Sequence, residues 1–543
     1  METQVNPSTS KKRPLIIGLA LIAVLAIGAT AYAMFMDLSP RELYLKSEMN
    51  TFKAMNESFE ESFGDAIALS EKQMDEAYKS EARVGVEVDP SMFGAGGMEA
   101  AMIGSVLSNS EIKMTTQHDP KKEEGSADFA LVLNNTDLVK AEFYQNNKQT
   151  ALSVPAAYDK HVYFPNNKFG DVMRKFDPAY SGMEHLQNFF KAVEGDLSKE
   201  ARDEAFEEFA KVYADSVKDE NVKLKDDVDF KGEKLRQLTV SLSEKETKTL
   251  LINFIEKVEN DKEIMNALAE QTALQGGLNL DMTSASTAPM SKEDAKKEIE
   301  KMLADAKKAI KDDLKIPGGM KQVVIVDDED TVVSRDLSMK IAAEGEEAVP
   351  VNYKSESWAK GDVEHNTWVL NAGPEGEELL VDVKMESEPK GKEGKKRDIK
   401  AKFETNENGT TEGIGFQVKG EGTDKKSNWT VQLVPAGEAP MELPDMTVEI
   451  EHKGDQNLDK DYANHDYKVT LKGNDPSMGN INVGLNIKTK TTFGKKLNFP
   501  ELAEGKAVNV AEMSDAEMMG MMSEIQRNIE QFIGENAQMF QGM

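Results

Sequence analysis

A formal net charge of -31 over 543 residues describes an acidic chain that is long enough for two or more domains and repels nucleic-acid phosphates. The absence of cysteine excludes disulfides, thiolate metal ligands and cysteine nucleophiles. With 39% hydrophobic and 30% charged residues, the chain has the composition of a folded, soluble body, and we expect no nucleic-acid partner.

The N-terminal sequence predicts in which compartment the protein lies. Basic residues at 11–13 precede an uncharged run over 14–36, which is long enough to cross the hydrocarbon core of a bilayer. The positive-inside rule then predicts a cytoplasmic tail over 1–13 and an extracellular body from 37 onward. A signal peptide cleaved after Ala33 is the alternative. The length of the run favours a single-pass signal anchor in the cell membrane.

A first sheet-plus-helix domain is predicted over 37–274. The capping box Ser39-Pro-Arg-Glu42 starts an amphipathic helix. The period of the apolar residues then changes to two, as in Val84, Val86 and Val88, which predicts strands. Turn residues separate these strands, and amphipathic helical segments follow them. We therefore expect an antiparallel meander with one solvated face and helices laid over the other.

A second, β-rich domain is predicted over 318–508. Linker composition over 275–290 and a connecting helix over 291–317 separate it from the first domain. A capping box at Ser514 starts a C-terminal amphipathic helix within 509–543. The predicted fold class is α+β. It comprises an N-terminal transmembrane helix and two antiparallel curved sheets, half-barrel-like meanders packed with amphipathic helices.

No sequence motif supports an enzymatic activity. The chain has no G-x-S-x-G and no H-E-x-x-H, and its six histidines are scattered. His452 and His465 flank one loop and could approach each other, but ordinary strand histidines are the simpler interpretation. The acidic segment 455–466 echoes the oxygen spacing of a calcium loop, yet Lys460 replaces the usual glycine. A solvated hairpin loop is favoured there, and no cofactor or metal is expected.

The nearly uncharged segment 92–107, MFGAGGMEAAMIGSVL, is the candidate ligand site. It lacks the lysine and the spaced glycines of a phosphate loop, and it is too short to span a membrane. Methionine-rich apolar surfaces accept varied partners, including lipid chains, although methionine also fills gaps in protein cores. The residues predicted to contact a hydrophobic ligand are Met92, Phe93, Met98, Met102, Ile103 and Leu107.

The helix segment SPRELYLKSE and the C-terminal segment NFPELAEGKAVNVAEMSDAEMM carry a resemblance. Together with an apolar N-terminal run that has no lipobox, they resemble uncharacterised membrane-anchored extracytoplasmic proteins of low-GC Gram-positive bacteria. More distantly, the order of sheets and helices is similar in architecture to the LolA/LppX-like lipoprotein and lipid carriers. That resemblance implies a half-barrel sheet and overlying helices around an apolar cavity.

The sequence thus predicts a non-enzymatic, membrane-anchored extracytoplasmic protein that binds a hydrophobic ligand or lipid at the cell envelope. Its expected partners are the membrane through residues 14–36, a lipid or other hydrophobic ligand, and an envelope protein. The alternative is an envelope scaffold or interaction protein that regulates a membrane complex and has no small-molecule cavity.

Overall fold

The computed structural model describes residues 38–88, 106, 108–134, 136–190, 199–278, 291–343, 345, 347–374, 376–391, 394–407, 410–423, 425–437, 445–475 and 479–536. Within them the α-helices are α1 (Pro40–Asp75), α2 (Phe169–Phe176), α3 (Lys199–Ser216), α4 (Glu244–Asn260), α5 (Lys262–Leu278), α6 (Lys292–Asp312) and α7 (Asp515–Glu535).

The strands of the first half of the chain are β1 (Tyr78–Val88), β2 (Ser110–Asp119), β3 (Glu124–Leu133), β4 (Thr136–Gln145), β5 (Gln149–Val154), β6 (Tyr158–Pro165), β7 (Val222–Phe230) and β8 (Glu233–Leu242). Those that follow are β9 (Met320–Val326), β10 (Val332–Ile341), β11 (Val349–Lys360), β12 (Val363–Ala372), β13 (Glu377–Lys390), β14 (Gly394–Glu407), β15 (Thr410–Thr423), β16 (Lys426–Gly437), β17 (Asp445–Asn457), β18 (Tyr462–Asp475), β19 (Gly479–Phe493) and β20 (Ala507–Asn509).

Helix starts follow the sequence signals closely. The capping boxes predicted at Ser39 and Ser514 are present, and a further one lies at Ser243, each with reciprocal side-chain and backbone hydrogen bonds to a glutamate three residues on. Ser291 also caps α6, by accepting a hydrogen bond from the backbone of Asp294. Local sequence therefore determines where these helices begin.

All described strands belong to one 20-stranded sheet, and the prediction of two separate sheets is wrong. Its spatial order runs β7, β8, β9 and on to β19, then β1 to β6, and ends with β20. Two long-range pairings join the predicted halves, because β8 pairs with β9 and β1 pairs with β19. Neighbouring strands are antiparallel except β20, which runs parallel to β6. Alternation reveals strands but not their partners, so the sequence did not show this continuity.

The sheet has one apolar face and one charged face. In β14, Phe403 lies on the first face and Lys402 on the second, because successive side chains of a strand alternate. The register pairs Ala401 with Val383 of β13 and with Phe416 of β15. The apolar positions therefore continue from strand to strand, and we call this side of the sheet the apolar face.

Helices bury the apolar face at its two ends. At one end α1, α3, α4 and α6 pack on β7 to β11, in a core that includes Tyr44, Leu238 and Leu337. At the other end α2 and α7 pack beside β6 and β20, where Met518 and Met521 are buried. A smaller cluster joins α5 to α6. The strands between the two ends receive no comparable cover from the described helices.

The structure does not bear out the prediction of a transmembrane anchor. No helix among the described residues is long and apolar enough to span a bilayer. The run 14–36, on which the anchor was predicted, lies outside the described residues. The single-pass localisation, with a cytoplasmic N-terminus and an extracellular body, is withdrawn together with the transmembrane helix and the signal anchor. The domain boundaries predicted within 37–543 stay a prediction.

Candidate functional site

The residues predicted to bind a ligand are not placed by the structure. Met92, Phe93, Met98, Met102, Ile103 and Leu107 all lie outside the described residues. In this region the structure describes β1 as far as Val88, then Val106 alone, and then the chain from Ser108, just before β2. Their proposed role as a ligand-contacting surface therefore stays a prediction.

The middle of the sheet carries large apolar side chains that remain in contact with solvent. Phe129 and Leu131 in β3 are each 42% exposed, Phe403 in β14 is 43% exposed and Ile112 in β2 is 49% exposed. Together with their neighbours in register they form a continuous surface that we call the open face. It comprises Val86, Ile112, Met114, Phe129, Leu131, Val381, Val383, Phe403, Ile414, Phe416, Leu433, Val448, Leu471 and Leu485.

Large exposed apolar patches are unusual for a protein that functions alone in water. Soluble monomers rarely expose a contiguous apolar patch larger than about 600 Å². Each square ångström left in water forgoes roughly 25 cal/mol that burial would contribute. A surface of this kind in the middle of a sheet typically marks a site for a ligand or for another apolar surface.

Helix α1 runs across the apolar face of the sheet from β10 past β14 to β17. It has 36 residues and is fixed at both ends, through Glu48 to Arg335 of β10 and through Lys72 to Asp461 beyond β17. It touches the sheet again at Ser62, whose Oγ accepts a hydrogen bond of 2.9 Å from Arg397 of β14. Each residue from 53 to 61 is exposed. Apart from the ion pair between Glu61 and Lys395 of β14, this section of α1 is therefore largely in water over a length of about 14 Å.

The exposed part of α1 presents apolar side chains to the sheet. Met55 and Phe59 follow Glu48 at spacings of seven and four residues, which places them on the helical face that also carries Ser62. They are 62% and 54% exposed although this face is turned to the strands. The ring of Phe63 lies 5.0 Å from that of Phe59. Apolar side chains of α1 therefore lie on the helical face that contacts the sheet at Glu48 and Ser62.

A buried polar cluster fixes the N-terminal half of α1. Arg335 donates two hydrogen bonds to the carboxylate of Glu48, at 2.8 and 2.5 Å, and Gln322 donates a third at 2.9 Å. Tyr44 and Tyr213 complete the cluster through their hydroxyl groups. Burial opposes the charge on Arg335, but the ion pair with Glu48 raises the pKa of its guanidinium overall. Burial raises the pKa of both tyrosines.

Three ring side chains stack on the apolar face near the second half of α1. His452 Nε2 lies 3.0 Å from His465 Nδ1, and both imidazoles stack with the ring of Tyr467. Burial lowers the pKa of both histidines, and the neighbouring charge of His465 adds to the effect at His452. The structure thus brings together two histidines that the sequence only placed on either side of one loop.

The described side chains do not form a metal centre. No three histidine, aspartate or glutamate residues of the described ranges are close enough together to hold an ion. In the acidic segment 455–466, β17 and β18 are joined by a short hairpin connection. There Asp461 pairs with Lys72 of α1, and Asp455 accepts a hydrogen bond from the Tyr462 hydroxyl. The segment is a hairpin that anchors α1.

Comparisons with known proteins give no family. No family model and no curated protein matches the chain. Among solved structures, Pseudomonas aeruginosa OccK2 (OpdF) in complex with glucuronate aligns with a TM-score of 0.23 and 7% identity, over 77% of this chain and 98% of that one. Pseudomonas aeruginosa OccK5 (OpdH) gives 0.22 and 6%, over 77% and 98%.

A third solved structure, the CymD monoaromatic hydrocarbon channel, gives a TM-score of 0.15 and 6% identity over 78% of this chain and 89% of that one. CymD is described as a channel. Scores this low do not establish a shared fold. The resemblances to Gram-positive envelope proteins and to LolA/LppX-like carriers stay predictions.

Proposed function

We propose that this protein is non-enzymatic and binds elongated apolar molecules, above all the acyl chains of lipids, on its open face. The observation that carries the proposal is the continuous set of apolar side chains left partly exposed on successive strands, among them Phe129 and Phe403. The proposal keeps the ligand class expected from the sequence. It assigns the binding surface to the middle of the sheet.

The physical basis is the burial of apolar area. An acyl chain that removes about 300 Å² of combined apolar surface from water gains roughly 7 kcal/mol before the entropic cost of binding. Apolar positions on neighbouring strands repeat every 4.8 Å or so, which gives a smooth track without polar interruptions. Met55 and Phe59 of α1 add apolar contacts from the opposite side.

Two histidines and one arginine on the apolar face are engaged in contacts with other side chains. His452 and His465 hydrogen-bond to each other, and Arg335 is held by Glu48 in the buried cluster. A catalytic histidine requires a reacting group and an orienting partner within hydrogen-bond reach. The mutual hydrogen bond of the two histidines supports a structural role for them.

Binding is tested with the purified chain and a neutral apolar fluorophore, N-phenyl-1-naphthylamine, whose emission rises in apolar surroundings. The two variants to compare are Phe403→Gln and Lys402→Gln, adjacent residues of β14 on opposite faces. We expect Phe403→Gln to weaken fluorophore binding several-fold and Lys402→Gln to leave it unchanged, with matching circular dichroism spectra. Lipids that co-purify are extracted and identified by mass spectrometry in parallel.

Two outcomes would count against the proposal. If the wild-type chain binds no fluorophore and yields no lipid, the open face does not take up small apolar molecules. Capture of a protein on the same face by cross-linking would then favour the interaction protein that is the alternative. Equal loss of binding in both variants would show that the fluorophore does not report on the apolar face.

A further inference from the structure

The apolar face carries a small number of basic side chains, and their partners differ. Arg335 in β10 makes two hydrogen bonds to the carboxylate of Glu48. Lys395 in β14 makes an ion pair of 2.7 Å with Glu61 of α1. Arg397, two residues further along β14, donates one hydrogen bond to the neutral hydroxyl of Ser62. It makes no ion pair with any carboxylate of the described residues.

Small residues flank Arg397 on both neighbouring strands. In register it pairs with Ser387 of β13 and with Gly420 of β15, and Gly420 pairs with Trp429 of β16. A Cβ atom at Gly420 would collide with the indole ring of Trp429. The indole therefore lies over the backbone of Gly420, in the direction of Arg397. A half-buried guanidinium and a flat aromatic ring thus lie on neighbouring positions of the apolar face.

Arg397 is also the polar end of an apolar row. The same face of β14 continues with Ile399, Ala401 and Phe403, the last of these on the open face. Six residues of extended strand span about 20 Å. A single acyl chain in a membrane extends over roughly 15 Å, half of the hydrocarbon core. The row beyond the guanidinium is therefore long enough for one acyl chain.

We propose that Arg397 binds the anionic head group of an amphiphile whose alkyl chain lies along β14 and reaches the open face at Phe403. The ligand class is an alkyl chain with a terminal carboxylate or phosphate, the groups that a guanidinium binds through two parallel hydrogen bonds. Ser62 holds the guanidinium at the boundary between α1 and the sheet. The inference rests on the proposed function and adds the charge of the ligand and the position of its head group.

Displacement of N-phenyl-1-naphthylamine by decanoate and by 1-decanol, both below the concentrations at which they aggregate, isolates the contribution of the charge. The two ligands have the same chain, and one of them is anionic. Because hydrogen bonds to charged groups are stronger than neutral ones, we expect decanoate to bind about tenfold more tightly than decanol. Acetate and inorganic phosphate, which have no chain, are expected not to displace the fluorophore.

Three variants test which residues cause the preference for decanoate over decanol. Arg397→Gln is expected to abolish it by weakening decanoate binding about tenfold while decanol binding is unchanged. Ser62→Glu places a carboxylate beside Arg397, as Glu48 does beside Arg335, and is expected to have the same effect with the arginine still present. Lys396→Gln, on the charged face of the same strand, is the matched control and keeps the preference.

The outcomes separate this inference from the proposed function. Equal affinities for decanoate and decanol in the wild-type chain, or an unchanged preference in Arg397→Gln, would overturn the head-group site and leave the apolar binding face intact. Binding of neither ligand would overturn the proposed function itself. Competition by phosphate alone would show an anion site without an acyl chain. Circular dichroism and thermal unfolding confirm that each variant is folded.

Discussion

The covered end of the apolar face and its open middle differ most clearly at two arginines that face the same helix. At the covered end, Arg335 meets Glu48, and both side chains are buried in a fully hydrogen-bonded cluster. In the open middle, Arg397 meets Ser62, which lies fourteen residues further along α1 on the same helical face. The first contact neutralises a charge and fastens the helix. The second leaves the charge available beside an apolar surface.

One sheet and one helix build a buried core at one end of the apolar face and an exposed apolar surface in its middle. The difference comes from what fills the space between them. At the covered end α3, α4 and α6 add a further layer over the strands, and Leu337 is 1% exposed. In the middle α1 crosses alone, and Phe403 on the same face of the sheet is 43% exposed. Stability should therefore depend on the first region and ligand binding on the second.

The largest expected effect is at the buried ion pair. Glu48→Gln leaves the buried guanidinium of Arg335 without a counter-charge, and removal of one partner of such a pair costs about 3 kcal/mol or more. The free energy of unfolding from urea titrations measures it. Ser62→Ala, the matched change at the second arginine, is expected to cost about 0.5 kcal/mol or less. Equal losses of unfolding free energy in the two variants would show that the contacts of Arg335 and Arg397 contribute equally to stability.

Truncation of apolar side chains tests the same difference in stability between the covered end and the open middle. Leu337→Ala creates a cavity in the core and is expected to lower the free energy of unfolding by about 3 kcal/mol. Phe403→Ala removes a larger side chain that is already partly in water, and we expect a loss of about 1 kcal/mol or less. If the phenylalanine proved the more costly of the two, Phe403 would belong to a packed core.

The exposed section of α1 should contribute to binding and little to stability. The double variant Met55→Ala and Phe59→Ala removes the apolar groups that face the open face, and its unfolding free energy should change by about 0.5 kcal/mol or less. Fluorophore affinity is expected to fall several-fold. Lys53→Ala, at an exposed position at the start of the same section, is the control. Unchanged affinity in the double variant would show that ligands contact the strands alone.

The smallest expected effect is on the pH dependence of the unfolding free energy. Because burial lowers the pKa of His452 and His465, the unfolded chain binds protons more readily than the folded chain below about pH 6.5. Stability from these residues is present above that pH and is lost as the pH falls toward the lowered pKa values. His465→Gln should reduce the slope of unfolding free energy against pH between about 7.5 and 5.5. An unchanged slope would contradict this assignment.

Much of the fold was predictable from local sequence. Side chains such as Ser243 and Ser514 start helices through bonds within four residues, and alternation in β1 or β19 marks strands without reference to the rest of the chain. The pairing of β1 with β19 was not predictable, since many strands have the same alternating pattern and registers are compatible with several neighbours. Two predicted sheets therefore proved to be one.

The candidate site was predictable only in part. Arg397 interrupts the alternation of β14, because it occupies the same face as Ala401 and Phe403, and this pattern could have identified it as a charged residue on an apolar surface. Its contact with Ser62 joins residues more than three hundred positions apart, and no periodicity indicates that. The sequence pointed instead to the methionine-rich segment 92–107, which lies outside the described residues except for Val106.

The two edge strands of the sheet affect whether another chain can add a strand to it. An open sheet of 20 strands presents two edges at which another chain could add a strand and begin a fibre. At one edge, β7 is mostly charged, and its register with β8 shifts between Lys225 and Val228, next to Asp227 in a left-handed conformation. At the other edge, β20 has three residues. Both features discourage the addition of a further strand at the edges of the sheet.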